Sequence, residues 1–327
     1  MGNKIRVALI FHKNNDFLAG NHFDNTYYNF FIKALQRNTE INVKNYRTED
    51  VFDASVLANK FDIILLWSNA DFGMPKEILN IQRLKIPVIA RSADPSNSKK
   101  AIRNHDRWKI DCYFHFHSES FFHQLYPRRF KYKKIFYGVE PSFFQNLKSY
   151  DKRIKNKILN SGNIGNQNLF SRIINDIRDP KWNNYRCKVL RTKCNNLPYV
   201  EYTSTLEHEY INDKYALLLE KYSAAIAADT YSPVIKYWEI PAAGCLTFME
   251  ITEKNQGKHI GFKDDMNAIF INEKNYKERF EDYLSDVNNP KWQEIASAGR
   301  DYALKQFNND KATESLAELM RELISMQ

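Results

Sequence analysis

The sequence predicts an α/β protein made of two Rossmann-like domains, each a doubly wound parallel sheet. Two observations carry this. Apolar runs of strand length alternate with segments of helical periodicity from one end of the chain to the other, the pattern of βαβ units. At 327 residues the chain is long enough for two domains of ordinary size. Hydrophobic residues make up 43% and charged residues 27%, the balance of a globular, soluble class.

The first half opens with Lys4 to Phe11, an apolar run typical of a first parallel strand. A polar loop from His12 to Asn25 follows and holds Gly20 and His22. Asn25 and Thr26 open a helix through Leu35, with Phe30, Phe31 and Leu35 as its apolar stripe. Asn42 to Tyr46 reads as a second strand and Phe61 to Trp67 as a third. Ile78 to Leu84 reads as helix, Ile86 to Ala90 as a fourth strand with Asp94 beyond its carboxyl end. Cys112 to His117 reads as a fifth strand, with Ser118 to Leu125 as its helix. Along that strand His115 and His117 alternate with Phe114 and Phe116, so both imidazoles share one face. The charged stretch Ser149 to Asn156 reads as a linker.

Lys157 to Asn160 opens the second half and leads into a loop with glycines at 162 and 165, where a ligand can approach the backbone closely. Phe170 to Arg172 enter a helix. Lys188 to Leu190 is a candidate strand and Asn212 to Tyr222 a helix. Ser223 to Ala228 is a buried strand, ending at Asp229. Ser232 then suits a helix N-cap and Pro233 the first helical position. Gly244 suits a left-handed helix end, and Cys245 to Met249 a buried strand. This is strand, loop, helix, strand, the right-handed unit of a parallel sheet. Its loop and helix start lie at the carboxyl end of a strand, where open α/β sheets bind ligands and free N–H groups favour an anion. Lys236 and Glu239, three apart, share a helix face there. His259 to Phe262 and Asn267 to Ile271 are short strands. Tyr276 to Val287, Pro290 to Phe307 and Lys311 to Met326 are helical.

The net charge is +9, concentrated in clusters at Arg128–Lys134, Lys152–Lys157 and Arg186–Lys193. Such a surface favours anionic partners, including phosphorylated sugars and an anionic membrane surface touched peripherally. No apolar run reaches the length of a membrane span, and the first residues lack the pattern of a signal peptide. The four cysteines, Cys112, Cys187, Cys194 and Cys245, form no Cys-x-x-Cys pair and read as free thiols of a reducing cytoplasm.

The stretch Lys236, Trp238, Glu239, Ala242, Ala243, Gly244 resembles the donor-site signature of GT-B glycosyltransferases, in the broad "glycosyl transferases group 1" set and its spore-protein-like relatives. Those carry a basic residue, an aromatic, Glu, a small pair and Gly before a hydrophobic strand. Tyr137 to Phe144 resembles their interdomain Gly-Val-Asp segment, with Glu140 for the usual Asp. Arg172 matches a common Arg of the first donor-domain helix, and Ile295 to Arg300, with its Ala-x-x-Gly-Arg, resembles the C-terminal end of the same family. The sequence departs at Tyr231, where many retaining members have a second Glu eight positions before the ribose-binding one.

The resemblance implies two Rossmann-like domains facing a cleft: an acceptor-side domain over 1–145, a nucleotide-sugar domain over 146–310, and a final helix over 311–327 packing back on the first domain. It implies a cytoplasmic glycosyltransferase, which the basic surface would set peripherally at the inner membrane face. Its donor is a nucleotide-diphosphate sugar and its acceptor a glycan, lipid-linked or other hydroxyl; it needs no cofactor. Lys236 would meet the diphosphate and Glu239 the ribose hydroxyls. Ser232, Tyr231, Gly162, Asn163 and Arg172 would complete the donor site. A base for the acceptor is expected in the first half, at Asp94 or His117 in preference to His12, His22 or His115, with Gly20 and His22 on the acceptor side. The sequence has no Asp-x-Asp, so no metal is expected. Two rival readings are a degenerate scaffold that binds nucleotide or glycan without turnover, and a transferase that modifies nucleic acid without a stable complex.

Overall fold

The structure is a computed structural model. It describes residues 4–13, 23–70, 73–93, 95–166, 168–180, 182–203 and 214–327, with the side chains of 23–29, 96 and 100 outside the description. The chain divides into two compact units, Met1–Tyr137 with Asn309–Gln327, and Gly138–Asn308.

Unit 1 holds β1 (Ile5–His12), α1 (Phe23–Arg37), β2 (Ile41–Thr48), β3 (Val51–Asp53), β4 (Ile63–Leu66), β5 (Glu77–Leu79), β6 (Val88–Arg91), α2 (Ser98–Arg107), β7 (Cys112–His115), α3 (Glu119–Leu125) and β8 (Tyr132–Lys134). Its main sheet is parallel throughout, in the order β2-β1-β4-β6-β7-β8. β4, β6 and β7 are buried along their whole length, which is why β4 and the first three residues of β6 read as apolar runs rather than as alternation.

The expected helix at 78–84 is instead the short strand β5, parallel to β3, followed by a single 3-10 turn at Ile81–Arg83. Asn80, at φ 60°, interrupts any helix there. Ser118 caps α3 by accepting from the Phe121 N–H at 3.1 Å.

Unit 2 holds β9 (Ile154–Ser161), α4 (Leu169–Arg178), α5 (Asn184–Cys187), α6 (Val189–Cys194), β10 (Val200–Thr203), α7 (Lys214–Leu219), β11 (Tyr222–Ala227), α8 (Lys236–Ala242), β12 (Leu246–Glu250), β13 (Ile269–Ile271), α9 (Tyr276–Ser285) and α10 (Pro290–Gln306). Its sheet is also parallel throughout, in the order β10-β9-β11-β12-β13. The last helix, α11 (Asn309–Ser325), belongs to unit 1, where Arg37 pairs with Asp310 at 2.6 Å.

Three expectations change here. Ser149 to Asn156, charged like a linker, is a 3-10 turn running into β9, whose first residues alternate between exposed and half-buried. Lys188 to Leu190 is not a strand but enters α6, because Leu190 and Cys194, four apart, are both buried, the spacing of a helix. His259 to Phe262 is a turn, set by the left-handed residues Gln256 and Gly261 on either side of Gly257–Ile260.

The core of unit 2 gathers Ile158, Ala224, Ile226, Leu246, Phe248 and Ile269 from the sheet with Phe280, Tyr283 and Trp292 from α9 and α10. On the other flank, α8 buries Trp238, whose ring stacks on Phe307 at 4.7 Å. Gly244 ends the α8 turn at φ +77°, the left-handed position expected of it.

Candidate functional site

β9 and β11 are neighbours in the sheet of unit 2, yet β9 passes to β10 on one side and β11 to β12 on the other. Their carboxyl ends therefore form a topological switch point, where an open α/β sheet leaves a crevice for a ligand. The loop after β9 is built for close approach. The Gly165 N–H donates to Thr192 Oγ1 at 2.7 Å, and that hydroxyl donates to the Lys188 carbonyl at 2.7 Å. A Cβ at Gly165 would stand 2.7 Å from the Tyr185 Cα. The Arg172 guanidinium lies 3.3 Å from the Tyr185 ring centroid.

Ser232 does not cap α8. The Asp229 carboxylate accepts from the N–H groups of Tyr231 (3.2 Å) and Ser232 (3.5 Å), closing an Asx turn. The helix starts three residues later than expected, with Lys236 as its first residue and Ile235 as a cap that makes no side-chain hydrogen bond. The N–H groups of Tyr237, Trp238 and Glu239 are bonded to the carbonyls of Val234 and Ile235. The positive character of this corner thus comes from side chains, not from a row of free amides.

Lys236 is buried. Its ammonium donates to the Ser161 main-chain oxygen and approaches Ser161 Oγ at 3.4 Å, with the Tyr215 ring centroid 5.8 Å away. Ser161 Oγ and the Tyr215 hydroxyl are 2.9 Å apart. Burial holds the Lys236 pKa well below its ordinary value, and Arg191 pushes it the same way. Burial raises Glu239 to about 7, against the pull of Lys236.

Three residues that the sequence reading left out complete the corner. Arg191, buried on α6, donates to the carbonyls of Asn163 (3.1 Å) and Ala228, while its Nε has no hydrogen-bond partner among the described residues. Asp229 follows β11 and is raised to about 6 by burial. Glu250 ends β12; burial and the nearby Asp229 raise it to about 8, and its Oε2 is also unpartnered among the described residues. Tyr237 and Asn255 clasp the two strand ends: Asn255 Nδ2 donates to the carbonyls of Asp229 (3.1 Å) and Glu250 (2.7 Å). A permanent cation set among carboxyls pushed toward neutrality gives a corner that favours an anion. The signal for Glu250 lay in the sequence, as an acid directly after an apolar strand. Arg191 was hidden by the mistaken strand at 188–190.

Lys236, Glu239, Ser232, Gly162 and Asn163 are thus grouped around the ends of β9 and β11. Tyr231 is half-buried, 5.0 Å from the Trp182 ring, with Lys254 over its face at 4.5 Å. Arg172 is stacked on Tyr185, the residue against which Gly165 packs. Asp94, Gly20 and His22 lie outside the described residues.

In unit 1, β7 stops at His115, but the rings of His115 and His117 stack at 4.3 Å, both buried. His115 Nε2 lies 3.3 Å from Arg91 Nη1. Burial, His117 and Arg91 hold the His115 pKa well below the usual histidine range. His12, at the end of β1, pairs with Asp50 at 3.3 Å.

No protein-family model and no curated protein sequence matches the chain. Solved structures do. A glycosyltransferase from Rickettsia africae matches with a TM-score of 0.60 at 11% identity, over 100% of both chains. Sucrose-phosphate synthase from Thermosynechococcus elongatus matches with a TM-score of 0.61 at 11% identity, over 99% of this chain and 100% of that one. An alpha-glucosyltransferase in complex with UDP-glucose and DNA containing an abasic site matches with a TM-score of 0.55 at 10% identity, over 98% of this chain and 100% of that one. With two parallel doubly wound sheets and these likenesses along its length, the chain has the GT-B glycosyltransferase fold.

Proposed function

We propose that the chain is a glycosyltransferase that moves a sugar from a nucleotide-diphosphate sugar to a glycan, lipid-linked or other acceptor, without a metal. The observation that carries this reading is the pair of buried cations, Lys236 and Arg191, at the switch point of the second sheet. In the reaction the acceptor oxygen bonds to the anomeric carbon and the bond from that carbon to the diphosphate breaks. The nucleoside diphosphate leaves with the electron pair. Lys236 and Arg191 stabilise its growing charge, which a preformed cationic corner does without reorganising. Glu239 accepts from the ribose hydroxyls. Gly162, Asn163 and Ser232 border the diphosphate, with Arg172 and Tyr231 at the edges of the donor site. The base that takes the acceptor proton is assigned to unit 1, at His117 or Asp94, with Gly20 and His22 on the acceptor side.

The test is a panel of nucleoside diphosphates and nucleotide sugars, read by thermal stabilisation, donor hydrolysis and the anomeric configuration of the product. Stabilisation by one nucleotide, with sugar release or transfer lost in Glu239→Ala, supports the proposal. No stabilisation by any nucleotide removes it.

A second reading has one observation in its favour. Tyr231, packed on Trp182 and under Lys254, stands where a second carboxylate would be in many retaining relatives. A scaffold that binds nucleotide or glycan without turnover would show the stabilisation and no product. The likeness to a structure holding DNA, and the net charge of +9, add duplex DNA to the acceptors worth assaying for transfer.

A further inference from the structure

Helix α4 is folded inside out. Its apolar residues Leu169, Phe170, Ile173, Ile174 and Ile177 fall on one face, and that face is the exposed one: Phe170 is 81% exposed, Ile177 78% and Leu169 69%. The polar residues Ser171, Arg172, Asn175 and Asp176 are the half-buried ones. They are held there: Arg172 stacks on Tyr185, and Asp176 accepts from Arg186 Nε at 2.8 Å and Asn183 Nδ2 at 2.7 Å. No residue of α4 is fully buried. A surface helix of a globular protein normally does the reverse, and five large apolar side chains in one exposed patch mark an interaction surface.

The charge around the patch identifies its occupant. Between residues 169 and 193 the chain has seven Arg and Lys against two Asp, a net +5 of the whole chain's +9. Arg178, exposed, directly follows Ile177 at the end of the apolar face, and Trp182 lies in the same segment. An apolar helix face that ends in an exposed cation, within a strongly positive segment, is the pattern of a helix lying in a membrane interface. A second copy of the chain fits badly, because a two-fold interface would set this positive border against itself. Among the described residues no helix is long and apolar enough to cross a membrane, so the contact is one of surface attachment.

We propose that α4 docks unit 2 on an anionic lipid bilayer, its Leu169–Ile177 face among the acyl chains near the headgroups and Arg178 on the lipid phosphates. Neither the donor nor the chemistry enters this proposal, so its failure and that of the transferase reading are separate events.

The experiment is flotation of the full chain with vesicles of phosphatidylcholine plus phosphatidylglycerol, and with vesicles of phosphatidylcholine alone. Arg178 predicts roughly fivefold or more tighter binding to the anionic vesicles, weakened by salt. The I173E/I177E variant should lose flotation while keeping the wild-type melting temperature, since both side chains are exposed; I173L/I177L should keep it. Three results overturn the proposal: no flotation of the wild type, flotation unchanged in I173E/I177E, or a lipid-free dimer that I173E/I177E abolishes.

Discussion

The ammonium of Lys236, the first residue of α8, donates to the main-chain oxygen of Ser161, the last residue of β9. One buried cation thereby ties the helix to the strand across the switch point. Such an ammonium is costly to bury without a compensating anion.

Lys236→Met is therefore expected to separate ligand binding from stability. It keeps the aliphatic stem and removes the charge. The ligand-free melting temperature should stay level or rise. The stabilisation by nucleoside diphosphate should weaken by about 1.5–3 kcal/mol, the usual worth of a hydrogen bond to a charged group, which is roughly tenfold or more in affinity. Melting curves with and without nucleotide decide it; an undiminished nucleotide shift in the variant would remove Lys236 from the donor site.

Donor affinity should fall as pH rises. Glu239 is raised to about 7 and Glu250 to about 8, so both are largely neutral at pH 6 and charged at pH 9. Both ionisations add negative charge to the corner that receives the diphosphate. A nucleotide sugar keeps a constant diphosphate charge across it, which makes it the right titrant. Calorimetric titration from pH 6 to pH 9 should show a monotonic loss of affinity, and a flat profile would contradict the proposed contacts.

Glu250 also gives a pH signature without ligand. Its folded pKa lies above the ordinary carboxylate value, so between about 4.5 and 8 the folded state binds more protons than the unfolded chain. Its contribution to stability is thus complete at the acid end of that window and is lost as pH rises through about 8. Glu250→Gln removes this loss. Urea denaturation at pH 5.5 and pH 8.5 should show a smaller drop for the variant than for the wild type, by a difference on the order of a few kcal/mol at about 1.4 kcal/mol per pKa unit.

His117 tests the acceptor side. If it is the base, His117→Gln should lower kcat by about 10²–10⁴ and leave nucleotide binding to unit 2 unchanged. A parallel loss of nucleotide binding would point to a structural role for the His115–His117 stack.

Much of the fold was legible because its strands are central and parallel. β4 and β6 are buried on both faces, and β4 and Val88–Ala90 read as apolar runs, while the Lys236–Gly244 pattern lay beside the switch point of the second sheet. What the sequence concealed was set by contacts remote in the chain. Ser232 looks like an N-cap, but Asp229 takes its N–H and delays the helix. Arg191 looks like one more residue of a basic cluster, but α6 buries it against Ala228 and Asn163. The apolar face of α4 has the period of a core helix, and no local rule says that it faces outward.

The loop after β9 rests on Gly165, and its replacement is the sharpest test of the loop's part in binding. A Cβ there would meet the Tyr185 Cα at 2.7 Å, with Thr192 Oγ1 and Tyr185 Cδ2 each at 2.9 Å. The first of these is backbone, and Tyr185 is itself covered by Arg172, so the glycine and not its neighbour must move. Gly165→Ala should cost about 1–3 kcal/mol, as overpacking does, and should also break the bond from its N–H to Thr192 Oγ1. That bond fixes the loop that carries Asn163, whose carbonyl receives Arg191. The variant should therefore lose nucleotide affinity beyond what its stability loss explains, and more than Arg172→Ala, which removes a group at the edge of the donor site together with its stack on Tyr185. Urea midpoints and nucleotide titrations on the two variants measure both effects, and equal affinities would detach the loop from the donor site.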